Sequence, residues 1–335
     1  MTVVPAELPP LRADESAVRK ALLAAPSAWQ DRLFKWLTTG MAFLLAVLII
    51  VIGWELWKGS ELARHKFGID FLGSSQWDPV QEKYGAAPFI FGTLVSSFLA
   101  LLIAAPLAIC TAIYLTEMAP LWLRQPLISL IEMLAAIPSV ILGLWGIFVM
   151  VPFLRDGPFQ WLNEKFEGVP VLGALFEGPV YGVSMFAGGI IIAIMILPII
   201  TSVSREILRS VPDLQREGAY ALGATRWEVT RIAVLAYARK GLFGAVVLGL
   251  GRALGETMAV TMVIGNRPEI AKSLLAPGYT LASVIANEFT EASTDMYLSA
   301  LFEIGLALFG VTIVVNLFAQ LLLKGIGGAT PRRVG

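Results

Sequence analysis

The stretch SVPDLQREGAYALGATRWEVTRIAVLA, residues 210–236, lies between two long apolar runs and carries its own start and stop signals. Ser210 is placed as an N-cap, Pro212 falls in the first turn, and Asp213 stands three residues past the cap. This pattern predicts a short helix over 211–222. Gly223 is placed to end it in a left-handed conformation. Thr225 then caps a second helix, with Glu228 three residues on as a second capping box. The stretch reads as a helix–turn–helix elbow in water, with Arg216, Arg226 and Arg231 expected at its surface. An elbow so well specified, set between segments that avoid water, is the feature around which the rest of the chain is read.

Outward from the elbow, six stretches are long and apolar enough to cross a bilayer, which takes roughly 20 residues of helix. They cover about 36–57, 89–115, 127–151 and 181–203 before it, and 242–264 and 298–323 after it. None alternates with a period of two, so they are helices rather than barrel strands. Of the 335 residues, 57% are hydrophobic and 15% are charged. A soluble domain has about 45–50% and about 25%. This composition excludes a disordered chain. One cysteine, Cys110, excludes a disulfide scaffold, and 25 Lys+Arg against 25 Asp+Glu argue against a nucleic-acid partner. The expected fold class is an all-α membrane protein with six transmembrane helices.

The expected organisation is a tail over 1–35, a first transmembrane helix with its external loop over 36–88, a core over 89–325 containing the elbow loop 204–241, and a tail over 326–335. The first span begins after 35 residues and is too long for a signal-peptide core, so it reads as a retained anchor. Residues 14–25 suit either an amphipathic helix on the membrane or a solvated tail. With both termini in the cytoplasm, 16 of the Lys and Arg residues fall inside and eight outside, a bias that supports this orientation. His65, the one histidine, falls in the first external loop and reads as a surface residue.

Charges expected at membrane depth are costly and point to a partner or an aqueous path. Arg252 and Glu256 stand four apart in the fifth stretch, on one face of one helix. Two readings fit: a structural pair holding this helix to another, or an anion site. In the second, the guanidinium fork of Arg252 meets oxyanion oxygens, Glu256 holds it in place, and Thr257 and Thr261 add hydroxyls. Glu132 lies inside the third stretch before a Pro138 kink, placed to pair with Arg252, to stay protonated, or to reach the interface. Glu303 sits near the outer end of the sixth stretch, where an interfacial position explains it. Pro106, Pro138 and Pro198 are expected to bend helices, and Gly143, Gly146, Gly188 and Gly189 to permit close helix approach. No catalytic nucleophile–base pair and no metal-ligand cluster can be assembled. The dipeptide Gly-Lys does not occur, so there is no phosphate-binding loop of the G-x-x-x-x-G-K-[ST] type.

The elbow resembles the E-A-A-x-x-x-G-x(9)-I-x-L-P loop of ABC-importer permeases. Glu217, Ala219, Gly223 and Leu235 match, while Gly218 replaces the first Ala, Ala233 the Ile, and Ala236 the terminal Pro. PLAICTAIYLTE (106–117), LIEMLAAIPSVILG (130–143), GRALGETMAVTMVIGN (251–266) and TLASVIANEF (280–289) narrow the resemblance to permeases of the phosphate-specific ABC importer, PstC-like rather than PstA-like. The resemblance spans about residues 85–325. It implies a type I ABC importer permease bundle, MetI-like, whose elbow is a coupling helix that docks on an ATP-binding subunit. It implies as partners a second, PstA-like permease, a PstB-like ATP-binding dimer that holds the ATP and magnesium, a PstS-like external phosphate-binding protein, phosphate and membrane lipid. It further implies an inner-membrane location, alternating access, and no enzyme activity or cofactor in this chain itself. The remaining readings are a permease for another solute, such as a different oxyanion, and a secondary transporter, which leaves the capped elbow unexplained.

Overall fold

The computed structural model describes residues 28–170 and 172–326. The possible helix at 14–25 and nearly all of the 326–335 tail lie outside them. Among the described residues six helices are long and apolar enough to cross a membrane: Trp29–Gly59, Ala87–Met118, Ser139–Phe166, Met185–Arg209, Arg226–Leu254 and Asp295–Gly325. They are called the first to sixth spans below. By contacts the chain divides into two units, Met1–Glu55 and Leu56–Gly335. The described part of the first unit is helical and presents almost every side chain, among them Trp29, Trp36, Phe43 and Ile50, to the surroundings. A helix apolar all round and exposed is one solvated by lipid.

The second unit is organised around the fourth span, of which 61% of the most apolar window is buried, against 6% for the sixth. Its principal partner is the second span. Hydrocarbon gives no hydrophobic drive for two helices to associate, so the interface must be won by close packing. The second span supplies it with small residues at four-residue intervals, Gly92, Ser96, Ala100, Ala104, Ala108 and Ala112, all buried. The fourth span answers with Gly189, where a Cβ would stand 2.9 Å from Leu99 Cβ. Gly143, Gly146 and Gly188 likewise sit against Met262, Val263 and Ile264, as expected of glycines inside spans. Pro106 and Pro198 remain inside unbroken helices.

Pro138 does more than bend its helix. The expected third span, 127–151, is two pieces: a helix Leu121–Ala136, then an extended Ile137–Pro138 step, then the third span proper. The expected fifth span, 242–264, is also interrupted. Its helix begins much earlier, at Arg226, runs through a π-helical stretch Val229–Leu235, and ends at Leu254. After a break at Gly255–Thr257 a short buried helix, Met258–Val263, packs against the start of the third span.

At the end away from the elbow, a second cluster closes the bundle. Trp77 Nε1 donates to Glu288 Oε2 at 2.8 Å and the Tyr297 hydroxyl donates to the same oxygen at 2.6 Å. The Leu281 amide donates to Thr93 Oγ1 at 2.9 Å. The first amides of the fourth span, Met185 and Phe186, donate to the Ala276 and Leu274 carbonyls at 3.0 and 2.9 Å, so a helix start that packs into the bundle is satisfied without water.

Adding a methyl at Gly92 drives a Cβ into the Tyr279 carbonyl oxygen, a backbone atom that cannot step aside. Gly92→Ala is expected to destabilise the folded protein by about 1–3 kcal/mol, read as a lower melting temperature in detergent. Gly40→Ala, where a Cβ meets nothing, is the control and is expected to leave the melting temperature unchanged or raise it.

Candidate functional site

The two helix breaks meet. Glu256 lies in the break after the fifth span and is 8% exposed. The Thr257 and Ala259 amides and the hydroxyl of Ser139, the first residue after the Pro138 break, lie near its carboxylate. A carboxylate taken out of water needs several donors to be tolerated. Here one side chain lies beside the starts of both Met258–Val263 and the third span. Helix interruption at depth leaves backbone groups that only protein can satisfy.

Arg252 stands in the last turn of the fifth span. Because the helix ends between them, Arg252 and Glu256 are not on one continuous helix face as the spacing alone suggested. They still approach, Nη2 to Oε2 at 3.9 Å, the outer limit of an ion pair. Among the described residues Glu256 is the polar partner of Arg252, whose side chain is 46% exposed. Its guanidinium therefore keeps most of its donors for something else. It opens on a cavity of about 660 Å³ lined also by Gly251, Gly255, Glu256, Leu248 and, from the sixth span, Asn316. A Cβ at Gly251 would meet no atom, so the wall beside Arg252 is bare backbone.

The other candidate residues fall elsewhere. Thr257 Oγ1 donates to the Gly255 carbonyl at 3.1 Å and Thr261 Oγ1 to the Thr257 carbonyl at 2.9 Å. Both hydroxyl protons are committed to the backbone of the break and neither residue lines the cavity. Glu132 does not pair with Arg252. The Pro138 step puts it on a separate helix, where Oε1 lies 3.7 Å from Arg205 Nη2 at the elbow end of the fourth span. Asn266 and Arg267 follow the short helix. Asn266 takes a left-handed φ of 50° and donates to the Thr261 carbonyl at 2.9 Å, while Arg267 pairs with Glu269 at 3.1 Å. Sequence reasoning did not select Ser139 or Asn316. Asn316 was visible as a lone amide in an apolar run, and Ser139 as the hydroxyl that follows the break-forming proline.

The elbow is close to its expected form, with corrections at its start and end. Its first helix is Asp213–Ala221, capped by Pro212 rather than Ser210, whose hydroxyl donates to the Ile207 carbonyl at 2.8 Å and so completes the fourth span. Gly223 has the left-handed φ of +84° that its position requires. Thr225 and Glu228 form the expected capping box, with the Thr225 amide donating to Glu228 Oε2 at 2.7 Å. The second helix is not separate: it is the start of the fifth span. Leu235 accordingly packs inward, beside Ala112, Leu208 and Val234. Glu217 and Gly218 are exposed and Ala219 half-buried. Leu214, Leu222 and Trp227 present large apolar surface at 80%, 90% and 56% exposure.

Arg216, expected at the surface, is instead the anchor of the elbow. Its side chain is 17% exposed, donates to the Leu208 carbonyl at 2.9 Å and to Glu117 Oε1 at 3.0 Å, and bonds the Val211 carbonyl and Asp213 besides. Glu117 sits in the π-helical end of the second span, so one guanidinium ties the elbow to two spans. Truncating Glu117 to Ala removes a charge-assisted bond worth about 1.5–3 kcal/mol. Amide hydrogen exchange across Asp213–Ala221 is then expected to quicken by about one to two orders of magnitude. Unchanged exchange would show that the elbow is held by something other than this pair.

Comparison with known proteins places this architecture. Residues 104–328 match the family model of binding-protein-dependent transport system inner membrane components. The chain is 45% identical over 331 residues to the phosphate transport system permease protein PstC of Mesorhizobium japonicum, covering 98% of this chain and 99% of that one. It is 46% identical to the PstC of Haemophilus influenzae, covering 88% and 93%, and 38% identical to a probable PstC of Methanocaldococcus jannaschii, covering 87% and 93%. Among solved structures, a chain of the MetNI methionine ABC transporter in an inward-facing conformation superposes with a TM-score of 0.50 at 17% identity, over 72% of this chain and 94% of that one. That likeness shows the fold, a MetI-like helical bundle. The chain therefore belongs to the binding-protein-dependent transport system inner membrane components and, within them, to the phosphate transport system permeases of the PstC type.

Proposed function

We propose that this chain is the permease subunit of an ATP-driven phosphate importer and forms part of the translocation path by alternating access. The observation that carries the reading is the half-exposed guanidinium of Arg252 on a cavity at the junction of two broken helices. Phosphate needs a fixed, permanently charged donor with a flat fork, and arginine is the side chain that supplies one. Glu256 beside it carries the wrong sign for an anion. Its carboxylate, 3.9 Å from Arg252 Nη2, orients the guanidinium beside the cavity. No bond is made or broken on this chain. Its residues bind, orient and release.

The driving energy comes from outside the chain. We infer a PstB-like ATP-binding dimer, holding ATP and magnesium, that docks on the exposed face of Leu214, Leu222 and Trp227 beside Glu217. Large apolar side chains gathered on an exposed helical elbow are the mark of a docking surface. A second, PstA-like permease completes the path and a PstS-like binding protein delivers phosphate at the far end. Both termini then face the cytoplasm, in accord with the two-to-one basic bias. Binding-protein-dependent transport and the relatives named phosphate permeases support this arrangement.

Arg252→Gln in an assembled complex is expected to lower uptake of labelled phosphate by about 10–100-fold, the loss of a charge-assisted contact. Normal uptake with intact assembly would sink the assignment. Sulfate and molybdate as competitors separate phosphate from other tetrahedral oxyanions, since a guanidinium alone fits each of them. Leu222→Asp together with Leu214→Asp is expected to abolish co-purification of the ATP-binding subunit while leaving the permease in the membrane. Retention of that subunit would place the docking surface elsewhere.

A further inference from the structure

A second cavity lies at the end of the bundle away from the elbow, separate from the Arg252 cavity. Its volume is about 600 Å³ and its walls come from Trp57 and the segment after it, from Ile90 of the second span, and from the sixth span between Glu303 and Val314. Glu303 was expected at the interface because it sits near a helix end. It is 6% exposed, and Oε2 has no hydrogen-bond partner among the described residues. Arg64 shares the cavity. Its guanidinium lies 3.6 Å over the Trp57 ring, and its Nε and Nη2 donate to Ser60 Oγ at 3.0 Å and the Trp57 carbonyl at 2.7 Å. Its Nη1 makes no bond among the described residues. Every other lining side chain is apolar, and Ile69 and Val314 are exposed, so the cavity opens sideways to the surroundings.

An occupant must then bring three things. It needs a hydrogen-bond donor for a buried carboxylate, an acceptor for a guanidinium beside it, and an apolar chain that continues along Leu306–Val314. That last stretch is about 12 Å of helix. We propose that this cavity is a binding site for a phospholipid whose headgroup carries a primary ammonium, a phosphatidylethanolamine, with its ammonium on Glu303, its phosphate on Arg64 and one acyl chain along the sixth span. Trp57 fixes the depth, since tryptophan is enriched at the membrane–water interface. An anionic lipid leaves Glu303 unmet and adds a like charge, and a choline headgroup has no N–H to donate. The inference rests on the membrane-spanning fold and not on the phosphate reading.

The test uses the assembled complex in nanodiscs with mixed phosphatidylethanolamine and phosphatidylglycerol, followed by delipidating detergent washes and mass spectrometry of the retained lipid. Phosphatidylethanolamine is expected to be retained in preference to phosphatidylglycerol. Glu303→Gln is expected to weaken retention about tenfold, the loss of one charge-assisted hydrogen bond. Gly310→Leu fills the acyl end, where a Cβ meets nothing, and is expected to displace the lipid with subunit stoichiometry unchanged. Preference for phosphatidylglycerol, or equal retention in both variants, would overturn the proposal. So would loss of subunit assembly in Gly310→Leu with lipid retention intact, which would seat a protein helix there instead.

Discussion

A membrane gives no water to a broken helix, and this bundle breaks two helices whose continuations pack together. Every backbone group released at Ile137–Pro138 and at Gly255–Thr257 has to be met from within. The buried Glu256 carboxylate lies where the two breaks meet, near the Thr257 and Ala259 amides of one and the Ser139 hydroxyl of the other. Met258–Val263 begins just after it and packs on the third span, and the pair fills the space beside the fourth span. Arg252 is then held at the rim of the same junction, with its donors free on the cavity side. Interrupted helices at membrane depth are costly to satisfy and useful for that reason, because they bring polar groups to places that a continuous helix would seal.

Much of the fold was legible in the residues. Long apolar runs placed the second and sixth spans to within three residues at both ends, because the hydrocarbon thickness imposes a length that composition cannot disguise, while the third and fifth were displaced by ten residues or more at each end. Thr225, Glu228 and Gly223 announced the elbow, since capping and a left-handed turn are local effects decided by neighbours in sequence. What stayed illegible was decided by groups far apart in the chain. Pro106 and Pro198 sit inside helices while Pro138 ends one, and the three look alike in sequence. The difference lies in what each packs against. Arg216 reads as a surface residue until Glu117, 99 positions earlier, is brought beside it. Glu132 reads as a partner for Arg252 until the Pro138 step turns its helix toward Arg205.

Of the candidate site, the Arg252–Glu256 pair was found for a reason that survives, the cost of charge in lipid, although the helix continuity assumed for it does not. Thr257 and Thr261 were chosen by spacing on a helix that ends before reaching them, and their hydroxyls serve the backbone of the break. Ser139 and Asn316 were passed over because a single neutral polar side chain costs little and so carries little signal.

The span that begins at the Thr225 cap is one uninterrupted helix as far as Leu254, 29 residues or about 40 Å. Trp227 stands at one end of it and Arg252 at the other. The proposed docking surface and the guanidinium that faces the cavity are thus two ends of a single rod, with the Gly255 break as its free tip. A rod pivoted along its length exchanges a small displacement at one end for a displacement of opposite sense at the other, with no intervening chain of side-chain adjustments. On the proposed function, binding at the elbow and affinity at the cavity are coupled by leverage, with the gain set by the length on either side of the pivot.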